Sequence, residues 1–267
     1  MILMGIVISV GVQKGGAGKT TTTAITTYLL AEMGYNVLVI DFDAQGNTSR
    51  ILSKKSLSTF TNRTVMNAII EKDLNKFIYN LNETDNINEK FGRYDLLPAD
   101  DSLASLSEEA EKRKINVAYS LKEIVTSIKS NYDFIFIDQP PHLGAHTVAA
   151  LIASDYSIVM LQSEPLCYFA IPRYLELLEQ IKERLNKNLK LAGILATMLD
   201  ARTSIDKQII EQTRLQYEDW VFNTVIKRKN RIKEFSLNGV QHRTKEDKEA
   251  LLPYVEFVEE LIQRVKQ

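Results

Sequence analysis

The densest chemistry in the chain lies in Gly11-Val12-Gln13-Lys14-Gly15-Gly16-Ala17-Gly18-Lys19-Thr20-Thr21. The run fits the pattern G-x-x-x-x-G-K-[ST], closed by Gly18-Lys19-Thr20. Glycines let backbone N–H groups turn inward around phosphate oxygens, a helix starting near Lys19 adds its partial positive charge, and the lysine offsets charge on β- and γ-phosphates. Thr20 can ligate magnesium through its hydroxyl. A tight glycine turn without a ligand is the plainer alternative, but strand, loop, lysine and helix all occur here in register.

Three carboxylates extend this chemistry. Asp138 follows the apolar run Phe134-Ile135-Phe136-Ile137, at the carboxyl end of a buried strand, where a nucleotide-associated magnesium is held through water. Asp41 and Asp43 close a second apolar strand. Asp43 can face the γ-phosphate from the neighbouring crevice and orient an attacking water, whereas Asp41 assists the metal shell or orders the loop. Their bland alternatives are a helix cap or turn for Asp138 and an Asx turn with Gly46 for Asp43. Lys14 is a second lysine at the start of the loop, which a generic phosphate loop does not need; its bland alternative is a solvated loop lysine. Far downstream, Lys227-Arg228-Lys229-Asn230-Arg231-Ile232-Lys233 packs five cations into seven residues with no acid. Such a run is either a solvated face or a patch that reads phosphate charge on nucleic acid.

The elements that must carry these groups follow from the apolar pattern. Residues 5–10 read as a strand, 19–33 as a helix capped by Gly34, and 36–41 as a second strand. This βαβ unit favours a parallel sheet. Further strands are expected at 93–97, 132–138, 156–161 and 189–197, with a short edge strand at 220–225. Helices are expected at 102–114, 116–130, 144–154, 171–185 and 205–217. Continuous apolar runs suit parallel strands covered on both faces. The expected fold is therefore α/β, a mostly parallel central sheet with helices on both faces, built as one domain over 1–267. Residues 53–89 are polar apart from a helical patch at 64–71 and read as a peripheral insertion. A terminal helix at 247–267 carries the stripe Leu251, Leu252, Val255, Val258, Leu261, Ile262 and Val265, and its polar face holds Glu249, Glu256, Glu259 and Glu260. Anionic lipid would repel that face, so the stripe is expected to pack on the core.

With 267 residues, 45% hydrophobic and 25% charged, the composition is ordinary for a globular protein and excludes a disordered or collagen-like chain. One cysteine builds neither a disulfide framework nor a multi-thiolate metal site and points to a reducing, cytoplasmic setting. The apolar runs fall far short of the roughly 20 residues of a bilayer span, so no membrane partner is expected. A net charge of −1 leaves any nucleic-acid affinity to a local patch.

Taken together, Lys14-Gly15-Gly16-Ala17-Gly18-Lys19-Thr20, Asp41-Phe42-Asp43-Ala44-Gln45-Gly46-Asn47 and Ile137-Asp138-Gln139-Pro140-Pro141 resemble the deviant-Walker ATPases of the ParA/MinD group. The stretches Thr197-Met198-Leu199-Asp200-Ala201-Arg202-Thr203 and Phe222-Asn223-Thr224-Val225-Ile226 bring the likeness nearest to ParA/Soj DNA-partition ATPases. The resemblance implies a P-loop fold, ATP and Mg2+ as ligands, and slow hydrolysis stimulated by a ParB-like centromere-binding partner. It implies that Lys14 reaches across an ATP-sandwich homodimer, which can build higher assemblies, to the partner's phosphates. Lys19 then contacts phosphate in its own subunit, Thr20 binds magnesium, Thr21 meets the α-phosphate region, and Asp43 is the hydrolysis-critical aspartate. Gly15, Gly16, Ala17 and Gly18 line the phosphates, and Ile226 and Lys227 lie near adenine. Arg202 and Arg231, supported by Arg228, Lys229 and Lys233, match nonspecific duplex-DNA contacts, which implies nucleoid association. Gln139 and His142 depart from the small residues commoner at their positions and are expected beside the γ-phosphate switch. The chain begins at its first strand, which leaves no room for an N-terminal helix-turn-helix domain, so repressor activity is not expected. The resemblance also admits a positioning ATPase for a non-DNA cargo, differing only in its adaptor, and a membrane-associated regulator of the MinD kind.

Overall fold

The apolar run after Gly5 forms β1 (Ile6–Gly11) and leads through the glycine loop into α1 (Lys19–Glu32) and then β2 (Val37–Asp41). The structure is a computed structural model and describes residues 5–12, 14–82, 90–162, 168–199 and 204–266. Gly34, with φ +93°, turns the chain out of α1 in the left-handed conformation that favours glycine. After β2 come α2 (Asn47–Ser53), α3 (Val65–Glu71), β3 (Tyr79–Asn80), β4 (Tyr94–Leu97), α4 (Leu106–Lys112) and α5 (Val117–Ile128). The chain continues through β5 (Phe134–Asp138), α6 (Ala145–Ala153), β6 (Tyr156–Gln162), α7 (Ile171–Arg184), β7 (Lys190–Leu199), α8 (Ser204–Tyr217), β8 (Val221–Lys227), α9 (Asn230–Asn238) and α10 (Lys245–Val265).

The eight strands form one sheet in the order β3-β4-β2-β5-β1-β6-β7-β8. All pairs are parallel except β3 with β4. Side chains alternate across β1: Ile8 and Val10 join the core beneath α1 and α10, whereas Val7 joins the opposite core beneath α3 and α5. A third cluster packs α7 and α8 over β6 and β7. The order of connections reverses at β1, since β1 leads to β2 on one side while β5 crosses to β6 on the other. Ligands of open parallel sheets bind in the crevice at the carboxyl ends of the strands at such a switch point. Register sharpens this, because Val10 and Asp41 both stand opposite Asp138.

The fold is thus the α/β architecture read from sequence, with corrections. The 53–89 stretch is not peripheral where it is described: Phe60, Val65, Ala68, Ile69, Leu74, Phe77 and Leu81 are all buried, and α3 is part of the core. The basic run enters α9, which the apolar pattern did not reveal, because only Ile232 and Phe235 anchor it. The terminal helix begins at Lys245, where Thr244 and Asp247 cap each other. Most of its stripe packs on the core as expected, with Leu251, Val258, Leu261 and Val265 buried beside Tyr254 and Phe257 and with Val255 and Ile262 half-buried, but Leu252 stands exposed. Among the described residues no helix is long and apolar enough to cross a membrane.

Candidate functional site

The glycine loop turns at Gly16 and Gly18, both left-handed at φ +79° and +77°. Gly18 caps α1 with no side chain of its own, so the first N–H groups of the helix face the loop. Inside the loop the Lys19 ammonium donates to the Lys14 carbonyl at 3.1 Å. Lys19 and Ala17 are buried, Lys14, Thr20 and Thr21 are half-buried, and Gly15 and Gly16 are exposed. Thr197, at the end of β7, donates to the Ala17 carbonyl at 2.9 Å and pins the loop to the sheet.

Across the crevice, Asp138 Oδ2 accepts from Thr20 Oγ1 at 2.8 Å and from Thr48 Oγ1 at 2.5 Å. Asp138 Oδ1 is buried without a hydrogen-bond partner among the described residues. Asp41 spends its oxygens locally: Oδ2 accepts from the Ser49 N–H at 2.8 Å and hydroxyl at 2.7 Å, and Oδ1 from the Asp43 N–H at 3.3 Å. It therefore orders the 41–49 loop. Burial lifts Asp41 to about 7, helped by the Asp138 charge. Burial also lifts Asp138 to about 6, against hydrogen bonds from Thr48 and Thr20 and the charge of Lys19. Two buried carboxylates in register, one with an orphaned oxygen and a threonine hydroxyl beside it, fit a hard divalent cation that takes one or two protein oxygens. Asp43 Oδ1 accepts from the Gln45 N–H at 3.1 Å, and its carbonyl accepts from the Gly46 N–H at 2.9 Å. The Asx turn weighed from sequence is therefore present and holds the side chain at the crevice.

Thr48, Ser49 and Thr197 escaped the sequence reading. The signal for Thr48 and Ser49 was a hydroxyl pair after Gly46 at a helix start, and Thr197 stood in a quoted stretch without a role assigned to it. Gln139 is a correction. It is 1% exposed, accepts from the Tyr174 hydroxyl at 3.1 Å, and fills the space where a Cβ on Gly11 would lie, 2.3 Å away. It braces β1 from behind and does not face the crevice as expected. His142 is exposed, and its carbonyl caps the turn into α6 through Thr147 Oγ1 at 2.7 Å.

Beside the loop opens a cleft of about 370 Å³ lined by Gly18, Thr21, Thr197, Ile226, Lys227 and Tyr254 among others, large enough for a nucleobase and sugar. The cations around it differ in their duties. Arg228, Lys233 and Lys227 are exposed. Lys229 donates to the Glu249 carbonyl, the acceptor that Pro253 leaves without its helical N–H donor. Arg231 pairs with buried Asp247 at 2.7 Å and also with Glu234. Arg202 lies outside the described residues. Burial alone would raise the Asp247 carboxyl, but N–H groups of Thr244 and Arg243 and the Arg231 guanidinium hold it at about 2. Its pKa is depressed on folding, so the stabilisation is full above about pH 4 and fades as pH falls through about 2. Asp247→Asn is therefore expected to cost about 2 kcal/mol at pH 7 and progressively less in acid. Urea unfolding of both proteins at pH 7 and pH 2.5 checks this, and an equal gap at both would refute it.

A parallel sheet with a helix-capped glycine loop, a strand-end aspartate and a threonine between them defines a P-loop nucleoside triphosphatase. Comparison with known proteins narrows the class. The family model described as an AAA domain matches residues 5–191. The sporulation initiation inhibitor protein Soj of Bacillus subtilis is 34% identical over 88% of this chain and 89% of its own. The chromosome partitioning protein ParA of Myxococcus xanthus is 31% identical over 86% of this chain and 78% of its own. The structure of cobyrinic acid a,c-diamide synthase from Mycobacterium smegmatis, with bound ATP analogue and magnesium, superposes with a TM-score of 0.82, covering 98% of this chain and 96% of that one at 26% identity. The chain belongs to the ParA/Soj family of ATPases.

Proposed function

We propose that the protein is a DNA-partition ATPase. It binds ATP with Mg2+, forms a homodimer around the nucleotides, coats duplex DNA without sequence preference, and is released when a ParB-like centromere-binding partner stimulates hydrolysis. The observation that carries the reading is the crevice itself, where Lys19, Thr20, Asp138 and Asp43 converge on the mouth of the glycine loop. Thr20 and Asp138, with Asp41 behind them, would hold magnesium, which when bound would neutralise phosphate charge. The remaining chemistry falls to the chain. Loop N–H groups and Lys19 hold the phosphate oxygens, Thr21, Ile226 and Lys227 receive the nucleoside end, and Lys14 brings a second cation from the partner subunit. Asp43 orients a water for in-line attack on the γ-phosphorus; the bond to the β–γ bridging oxygen breaks, giving ADP and phosphate.

Exposed Arg228 and Lys233 support the DNA reading more directly than Arg231 and Lys229, whose heads are engaged within the fold. Phosphate contacts carry no sequence information and weaken steeply with salt. An amide-forming ligase, the activity named for the Mycobacterium smegmatis neighbour, would give neither Lys14 nor the five-cation run a task. The test is a fluorescence-anisotropy titration of random duplex DNA with ATP or ADP at two salt concentrations. Binding is expected only with ATP. Arg228→Ala and Lys233→Ala are each expected to reduce the slope of log affinity against log salt by about 0.9. Absence of binding with ATP, or variants matching the wild type, would overturn the DNA assignment, and ATP-independent binding would overturn its coupling to the nucleotide.

A further inference from the structure

The stretch from the last residue of β5 to the first turn of α6 holds three of the buried side-chain atoms that lack a hydrogen-bond partner among the described residues: Asp138 Oδ1, Gln139 Nε2 and His146 Nε2. The first fits the cation. Gln139 Nε2 sits behind β1 with Tyr174. His146 has no task in the cycle above.

His146 lies in the first turn of α6, and its ring meets Phe42 edge-on with centroids 5.1 Å apart. Phe42 is fully buried and sits between Asp41 and Asp43, so the imidazole rests against the loop that presents Asp43. The charged or titratable groups that act on it are His142 and Asp43; burial comes first and holds the imidazolium below the usual histidine range, so the ring is neutral at pH 7. Asp43 uses Oδ1 on the Gln45 N–H and has no ion pair among the described residues. A neutral imidazole with a spare buried nitrogen thus lies within electrostatic reach of a carboxylate that has acceptor capacity to spare.

We propose that His146 is a positioning residue for Asp43, its Nε2–H holding the second carboxylate oxygen so that the first is aimed at the attacking water. This deepens the ATPase reading and rests on it. Phe42 fixes the ring by its edge contact, and α6 fixes the distance, so the hydrogen bond forms as the 41–47 loop settles against nucleotide. A buried nitrogen left unpaired is costly, and this partner relieves it where hydrolysis takes place.

The test is single-turnover hydrolysis of radiolabelled ATP by the full chain, with ATP affinity and thermal melting measured alongside. His146→Phe retains the ring against Phe42 and removes the nitrogen; His146→Gln retains a donor. His146→Phe is expected to slow turnover about tenfold with ATP affinity and melting unchanged, and His146→Gln to recover most of the rate. In an Asp43→Ala background His146→Phe should cause no further loss. Wild-type turnover in His146→Phe would overturn the proposal, as would parallel losses of rate, affinity and melting temperature in both variants. Wild-type protein that binds ATP without hydrolysing it would instead overturn the ATPase reading beneath it, a distinct result.

Discussion

Lys14→Ala is expected to lower ATP turnover about a thousandfold while ATP still binds within a few-fold of wild type. The Lys14 carbonyl is built into the loop as acceptor for Lys19, and alanine preserves that bond because only the side chain changes. In the proposed cycle, what disappears is a cation that Lys19, assigned to its own subunit's phosphates, does not replace. A charge placed where the transition state accumulates negative charge acts on the barrier far more than on ground-state binding. Delivery from the partner subunit makes a stricter prediction, since Lys14→Ala and Asp43→Ala are both inactive alone but complementary. On mixing, half of the dimers pair one of each, and in those one site keeps Asp43 and receives an intact Lys14. About a quarter of the wild-type rate should return. If Lys14 acted within its own subunit, no mixed site would be complete and mixing would restore nothing. Single-turnover hydrolysis of the mixture decides between the two.

The parts of the fold legible in the sequence are those where one physical demand dominates. β1, β2, β5 and β6 are covered on both faces, so they read as apolar runs, interrupted inside the strand by Ser9 in β1 and Ser157 in β6. α9 failed that test because a surface helix with two buried anchors, Ile232 and Phe235, looks like any polar segment. α3 was found, but its burial was not, since its apolar residues Val65, Met66, Ala68, Ile69 and Ile70 form one short run within a stretch otherwise rich in polar residues. The phosphate loop and Asp138 were legible because backbone geometry and charge place those residue types at fixed spacing. The partners of Asp138 were not, for Thr48 lies 90 residues away and a hydroxyl after a glycine reads equally as a helix cap. The basic run shows the same limit from the other side. Sequence reveals the sign of the charges, but Arg231 is bound to Asp247 sixteen residues on and Lys229 to a carbonyl freed by Pro253. Arg231→Ala therefore removes a structural ion pair together with any DNA contact, and Arg228 and Lys233 are the cleaner probes.

Asp43 has both a structural and a chemical duty, and two substitutions separate them. Its Oδ1 accepts from the Gln45 N–H, so alanine deletes a turn-forming contact as well as the carboxylate. Asparagine keeps an oxygen for the turn and loses only the charge and basicity. If the turn were the whole role, Asp43→Asn would hydrolyse ATP normally and Asp43→Ala alone would fail. With the carboxylate orienting water at the γ-phosphate, as proposed, both variants are instead expected to lose about 10²- to 10⁴-fold in turnover, the range for removing a positioned base. Neither should lose ATP, since Lys19, Thr20 and the loop N–H groups are untouched. Blocked hydrolysis should then hold the protein in its ATP-bound dimer, and DNA binding measured by anisotropy should persist long after the wild type has dissociated. A normal rate in Asp43→Asn would reduce Asp43 to a loop residue and leave the crevice without the group that directs water. Loss of rate in both variants with ATP-dependent DNA binding retained would tie the timing of release from DNA to one carboxylate, which the 41–49 loop presents and α6 backs from behind.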